Sequence, residues 1–72
     1  MERTVLKTLF EGTRWKITRD DKLYSYYPNQ RLAEQGVMRI GRAEARKGNP
    51  VLAIIHKKDG TVARECRYNP PK

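Results

Sequence analysis

The chain has 72 residues, of which 33% are charged and 38% hydrophobic, so it can fill one hydrophobic core and we predict a single domain over residues 1–72. This composition is too apolar for a disordered tail and too polar for a membrane protein. Sixteen Lys and Arg against eight Asp and Glu leave a net charge of +8, which favours an anionic partner but indicates nothing about the fold.

The first 27 residues predict two strands and leave a third open. Residues 5–10 are rich in β-forming side chains, and residues 14–19 alternate apolar and polar types after Glu11-Gly12, which is typical of strand, turn, strand. Residues 22–27 follow Asp20-Asp21 and fit either a third strand or an extended connection.

A helix is predicted between Asn29, a good N-cap residue, and the stop signal Gly48-Asn49-Pro50. At 100° per residue, one face of this helix is apolar, and we expect it to pack on a sheet; it carries Leu32, Ala33, Gly36, Val37, Ile40 and Ala43. Within about 80° on the nearly opposite face lie Arg31, Gln35, Arg39, Arg42 and Arg46.

Asp59-Gly60 between two β-forming runs predicts a C-terminal hairpin. Either a two-residue turn or a three-residue loop with Gly60 in a left-handed bulge fits, and we prefer the second because it places more bulky apolar groups, including Ile54, under the helix. Replacing Ile54 by alanine should then cost roughly 2–5 kcal/mol. The other face would carry an exposed strip, Val51, Ala53 and Ile55, which either mediates self-association or is covered by Lys and Arg stems.

These elements predict an α+β fold, namely a small antiparallel sheet in the order ββ(β)αββ with one amphipathic helix packed on one face. Residues 69–72 should form a short flexible tail. The longest apolar run, residues 51–55, is far too short to span a membrane, no signal peptide is visible, and the single Cys66 cannot form an internal disulfide. We therefore expect a cytoplasmic protein without membrane association.

One set of residues resembles a family of small bacterial and phage-borne ββαββ domains whose function is not established. The resemblance covers about residues 13–68 and rests on Trp15-x-Ile17, the alanine- and arginine-bearing helix, the Ile-His-x-x-Asp-Gly hairpin of residues 55–60 and the terminal Tyr68. It implies the fold far more than any activity. The tyrosine-rich stretch from Leu23 to Tyr27 and Asn29 at the helix entry depart from the family pattern.

Catalytic chemistry has little support in this sequence. His56 and Cys66, each the sole residue of its type, would lie roughly 13 Å apart in the preferred register and on opposite faces in the other, so no dyad forms. We expect His56 to pack near the hairpin turn and Cys66 to be a small buried hydrophobe. The acids show no ligand-like spacing with His56, and no Gly-rich phosphate loop is present. The prediction is a non-enzyme without cofactor or metal.

Two surfaces are candidates for binding. The helical arginines Arg31, Arg39, Arg42 and Arg46 have no acid among them, which favours an anionic partner, although a solvated face that complements the helix dipole fits as well. The second surface combines tyrosines with cations and could stack bases; its members are Arg14, Lys16, Tyr24 and Tyr26, with Lys22, Tyr27 and Arg31 nearby. We expect Trp15 to lie in the core instead.

Three functions follow from these surfaces. The first is a basic nucleic-acid-binding accessory protein that contacts phosphates through the helical arginines. The second is a small inhibitor or regulator, of the kind that phages encode against host defences, which blocks an acidic or nucleic-acid-binding protein complex. The third is a homodimer formed through Val51, Ala53 and Ile55. The sequence does not decide between DNA, RNA and protein as the partner, nor the oligomeric state.

Overall fold

The computed structural model describes residues 3–70, which form one helix and five strands. The elements are β1 (Thr4–Glu11), β2 (Arg14–Arg19), β3 (Lys22–Tyr27), α1 (Gln30–Arg46), β4 (Val51–His56) and β5 (Val62–Tyr68). Of the predicted tail, residues 69 and 70 follow β5 without regular structure and residues 71–72 lie outside the described part. Within residues 3–70, no helix has the length and apolar content to cross a bilayer.

The five strands form one sheet in the order β3-β2-β1-β4-β5, and α1 packs on one face of it. The predicted α+β class with one helix on one sheet face is confirmed. The sheet is mixed rather than wholly antiparallel, because β1 and β4 pair in parallel. A strand that returns to the sheet through a helical crossover can run parallel to an earlier one, whereas tight hairpins join only antiparallel strands.

The third strand, left open by the sequence, is part of the sheet. Asp20 and Asp21 form a two-residue turn with φ of 51° and 69°, and two successive positive φ values are the signature of the hairpin turn that suits the twist of paired strands. The Asp20 amide donates to the Val5 carbonyl (2.8 Å), and the Asp20 carboxylate accepts from the Val5 amide (2.9 Å). These bonds fix the turn to the neighbouring strand and direct residues 22–27 along β2.

Both predicted ends of α1 are confirmed. The Asn29 side chain accepts a hydrogen bond from the Leu32 amide (2.9 Å), as an N-cap should. At the other end Gly48 has a φ of +98°, its amide donates to the Ala45 carbonyl, and the Asn49 amide donates to the Glu44 carbonyl, both at 3.0 Å. This pattern of two reversed hydrogen bonds is the Schellman motif, which satisfies carbonyls that the last turn leaves free.

The buried face of α1 is rotated about the helix axis relative to the prediction. Its buried residues are Ala33, Gly36, Val37, Gly41, Glu44 and Ala45, whereas Leu32 is 40% exposed. The two glycines explain the position of the helix, because Gly36 lies against the Tyr27 side chain and Gly41 lies against the Tyr68 ring. Without a Cβ at these positions, the helix backbone approaches both outer strands closely.

The β4–β5 hairpin combines the two registers that the sequence allowed. The Lys57 amide donates to the Thr61 carbonyl (2.7 Å) around a three-residue loop, and Gly60 has a φ of +92°, as preferred. Ala63 then remains unpaired in a bulge, because His56 lies opposite Val62 but Ile55 opposite Arg64. Beyond the bulge, the register is that of the two-residue turn.

This bulge overturns the predicted faces of β4. Val51, Ala53 and Ile55 are 3%, 0% and 1% exposed in the core that α1 covers, so the prediction that they form an exposed self-association strip is wrong. Ile54, predicted to lie under the helix, is half-buried on the opposite face, which we call the open face. One extra residue in a strand moves its whole side-chain set to the other face of the sheet.

The close packing of Gly41 gives a testable prediction. An ideal Cβ on Gly41 would lie 2.6 Å from Tyr68 Cδ2, so Gly41→Ala should lower the free energy of unfolding by about 1–3 kcal/mol through overpacking, despite a gain of about 1 kcal/mol in helix propensity. In a Tyr68→Ala background the same change should be neutral or stabilising. Urea denaturation of the four proteins measures both effects, and stabilisation by Gly41→Ala with Tyr68 present would contradict the packing.

Candidate nucleic-acid interface

The four predicted arginines of α1, which we call the arginine row, all lie on the exposed face of the helix. Arg31, Arg39, Arg42 and Arg46 are each exposed, and the predicted outward direction of this face is confirmed. Side chains three and four residues apart on a helix have their Cβ atoms about 5–6 Å apart, so Arg39, Arg42 and Arg46 form a continuous cationic surface. Together with Gln35 and Met38 they line a shallow depression of about 340 Å³.

The ion pairs of the described residues join carboxylates to cations of the strands, not to the arginine row. The ion pairs are Lys7–Asp21 (3.3 Å), Lys16–Glu11 (3.2 Å), Arg19–Glu44 (3.1 Å) and Arg64–Glu34 (3.4 Å). Among residues 3–70, no carboxylate lies within 4 Å of the row. The row therefore presents a charge that is not compensated by contacts within the part of the chain described.

The two glutamates of α1 show how the helix separates its charges. Glu44 is only 6% exposed, and its carboxylate accepts from Arg19 of β2 and from the Asn49 side-chain amide (2.8 Å). Glu34 pairs with Arg64 of β5. Because both carboxylates pair with groups outside the helix, the outer face of the helix keeps its positive potential.

The predicted tyrosine patch is formed only in part, on the open face of the sheet. The Arg14 guanidinium lies over the Tyr26 ring, 3.6 Å from its centroid. Lys16 pairs with Glu11, and the Tyr26 hydroxyl donates to the same carboxylate at 3.5 Å. Lys16 is thus already paired with a carboxylate, and Arg14 already lies over the Tyr26 ring.

The other aromatic residues of this segment are distributed over different surfaces. A bulge at Tyr24 interrupts the pairing of β2 with β3, and Tyr24 is 51% exposed at the sheet edge. Tyr27 packs against α1. The expected core position of Trp15 is confirmed, since it is 5% exposed with its ring centroid 5.2 Å from that of Phe10.

The arginine row and the tyrosine patch do not form one surface. Tyr26 lies opposite Lys16 in the β2–β3 pair, on the open face. Trp15 and Ile17, on either side of Lys16 along β2, are buried on the face that α1 covers. The row lies beyond the helix, so the sheet and the helix core separate the two groups of cations.

His56 and Cys66 do not meet. His56 lies at the end of β4, where Nδ1 of its ring makes a 2.9 Å hydrogen bond to the carbonyl of Thr8 in β1. This is the packed position expected for His56. Cys66 pairs with Ala53 on the face covered by α1 and is partly buried beside the core. Within residues 3–70, no group of three or more His, Cys, Asp and Glu has the spacing of a metal site.

Beside the arginine row lies a groove that combines two of its members with four residues that the sequence analysis did not single out for binding. The end of β5 meets the C-terminal half of α1 in a groove of about 640 Å³, lined by Arg42, Ala45, Arg46, Arg67, Tyr68 and Asn69. The sequence signal for it is Arg67-Tyr68-Asn69 at the end of the last strand. These three residues indicate a binding site only when the strand order is known, because β5 is an edge strand and its end lies beside the helix.

Comparison with known protein families, curated proteins and solved structures gives no match to this chain. The resemblance to the bacterial and phage ββαββ domains stays a prediction. The functional argument therefore depends on the geometry of this molecule alone.

Proposed function

We propose that the protein is a nonenzymatic cytoplasmic module that binds nucleic acid through phosphate contacts of the arginine row. The observation that supports this most is the pairing of charges, since all four ion pairs of the described residues take their cation from a strand, while Arg39, Arg42 and Arg46 are exposed and take part in none of them. Guanidinium groups bind phosphate oxygens with two parallel hydrogen bonds. Several guanidinium groups in a row along a helix can therefore bind successive phosphates of a nucleic-acid backbone.

Such contacts give affinity with little sequence preference. Contacts to phosphate position a protein on nucleic acid but carry no direct sequence information, which is read from base edges. The row offers arginines alone, and the net charge of +8 increases the rate of encounter with any polyanion. The proposed role is therefore an accessory one, in which another component supplies specificity.

The salt dependence of binding tests this proposal. Four phosphate contacts predict that the logarithm of the association constant for duplex DNA falls with the logarithm of salt concentration with a slope of about −3.6. Fluorescence anisotropy with a labelled 16-base-pair duplex between 20 and 200 mM salt would measure it, as ~20 mM gives weak screening. Absence of binding at the lowest salt would remove the proposal.

A second candidate function, a protein-binding inhibitor or regulator of a larger complex, is favoured by the exposed edge strand β3. Leu23 and Tyr24 are 56% and 51% exposed there, and an unpaired sheet edge can accept a strand from a partner. A pull-down from nuclease-treated lysate separates the two candidates. A stoichiometric protein retained after nuclease treatment favours the inhibitor, and loss of every partner favours nucleic acid.

A further inference from the structure

The cationic surface of the arginine row continues from the helix onto the sheet. Arg42 and Arg46 line both the depression on the helix and the groove at the end of β5. The groove is also lined by Arg67 of the edge strand β5, which lies opposite Leu52 and therefore on the sheet face away from Tyr68. None of the six lining residues is acidic, so an anion at this sheet edge is offered cations by two elements and meets no carboxylate.

The groove also contains an aromatic ring, held in place by the helix. Tyr68 lies against Gly41 because no side chain intervenes, and the neighbouring Ala45 leaves space beside it. Burial raises the pKa of the Tyr68 hydroxyl, with a further contribution from Cys66, against the opposing effect of Arg42 and Arg64. The phenol is therefore neutral at physiological pH and keeps its proton for donation.

A groove lined by a tyrosine and three arginines has the residue types of a nucleotide site. Single-stranded nucleic acids bind proteins by stacking bases on aromatic side chains while cations hold the backbone. A volume of about 640 Å³ lies within the range of pockets that take small organic ligands. In a duplex the bases are stacked on one another, so a duplex offers no base to Tyr68 and is not drawn into this groove.

We propose that this groove binds one nucleotide of a single-stranded nucleic acid, with its phosphate on Arg42, Arg46 and Arg67 and its base against Tyr68. This inference rests on the proposed function, because it extends the phosphate contacts of the arginine row onto the sheet. It adds a preference that the row alone does not confer, namely single strand over duplex. The strand would run along the helix and end in the groove.

The test compares a labelled 12-nucleotide oligothymidylate with a 12-base-pair duplex. Arg67→Ala should weaken binding of the single strand by roughly three- to tenfold at low salt and reduce the steepness of its salt dependence by about 0.7, the loss of one phosphate contact. Duplex affinity should change less than twofold. Lys22→Ala is the matched control, since it removes the same charge from the opposite edge strand, and it should leave both affinities within twofold.

Tyr68→Leu tests the ring and should weaken single-strand binding by roughly 5- to 100-fold, as expected for the loss of one stacked base. Arg67 is exposed, so its variant keeps the test valid if Tyr68→Leu does not fold. Equal loss of single-strand and duplex binding in Arg67→Ala, or no loss in either, would overturn the groove. Failure of the unaltered protein to bind both oligonucleotides at low salt would instead overturn the proposed function.

Discussion

Replacing Arg39 and Arg42 together by glutamate should abolish nucleic-acid binding and leave the fold intact. The substitutions lower the net charge from +8 to +4 and place two carboxylates in the middle of the arginine row, where they repel phosphates. We expect at least a tenfold loss of affinity at about 50 mM salt and a less steep salt dependence. The free energy of unfolding should change by less than about 0.5 kcal/mol, because both residues are exposed and make no ion pair with the described residues.

The matched control is the double variant Lys22→Glu, Lys57→Glu, which has the same net charge. Both lysines are exposed at strand ends away from the row. If binding depends on the row, this control should lose affinity only through its weaker overall field. Equal losses in the two double variants would mean that binding follows net charge and not position. Normal binding by the arginine variant would leave the tyrosine patch as the next site to test.

The direction of the arginine row could be predicted because a helix depends on local signals. Asn29 and Gly48 mark its ends, and both were readable in the sequence. A period of 100° per residue then fixes which side chains share a face. The buried face of the helix is rotated relative to the predicted stripe, but the row spans a narrow sector opposite the core and is exposed.

The faces of β4 could not be predicted, because both of them are apolar. Val51, Ala53 and Ile55 alternate with Leu52 and Ile54, so the pattern does not say which set is covered. The choice depended on the register of the hairpin, and the bulge at Ala63 changed that register within the strand. The residue types near such a bulge do not reveal it, because the adjacent loop already has the residues that its own turn requires.

The groove depends on contacts between distant parts of the chain. Arg67 and Tyr68 line one groove with Arg42 and Arg46 because β5 is the outermost strand and Gly41 admits the Tyr68 ring. A glycine inside a helix costs about 1 kcal/mol of propensity relative to alanine, and nothing near Gly41 in the sequence shows what packs against it. Its function is a steric one that becomes visible when strand order and helix position are both known.

The largest effect on stability is expected from Ile55→Ala, with Ile54→Ala as its matched comparison. Ile55 is 1% exposed beneath α1, so truncation leaves a cavity that its rigid neighbours cannot fill, and we expect a loss of about 2–5 kcal/mol. Ile54 is half-buried on the open face, where solvent can take the place of the lost atoms, and its truncation should cost about 1–2 kcal/mol.

Urea denaturation of the two variants under identical conditions measures this difference. A domain of this size has few kcal/mol to lose, so Ile55→Ala could abolish folding; Ile55→Val, with an expected cost of about 0.5–1.5 kcal/mol, then gives the measurable value. The same two changes would be reversed in rank if the hairpin kept the register of its loop throughout, because Ile54 would then lie under the helix. A greater loss in Ile54→Ala than in Ile55→Ala would therefore contradict the bulge and, with it, the position of Tyr68 in the groove.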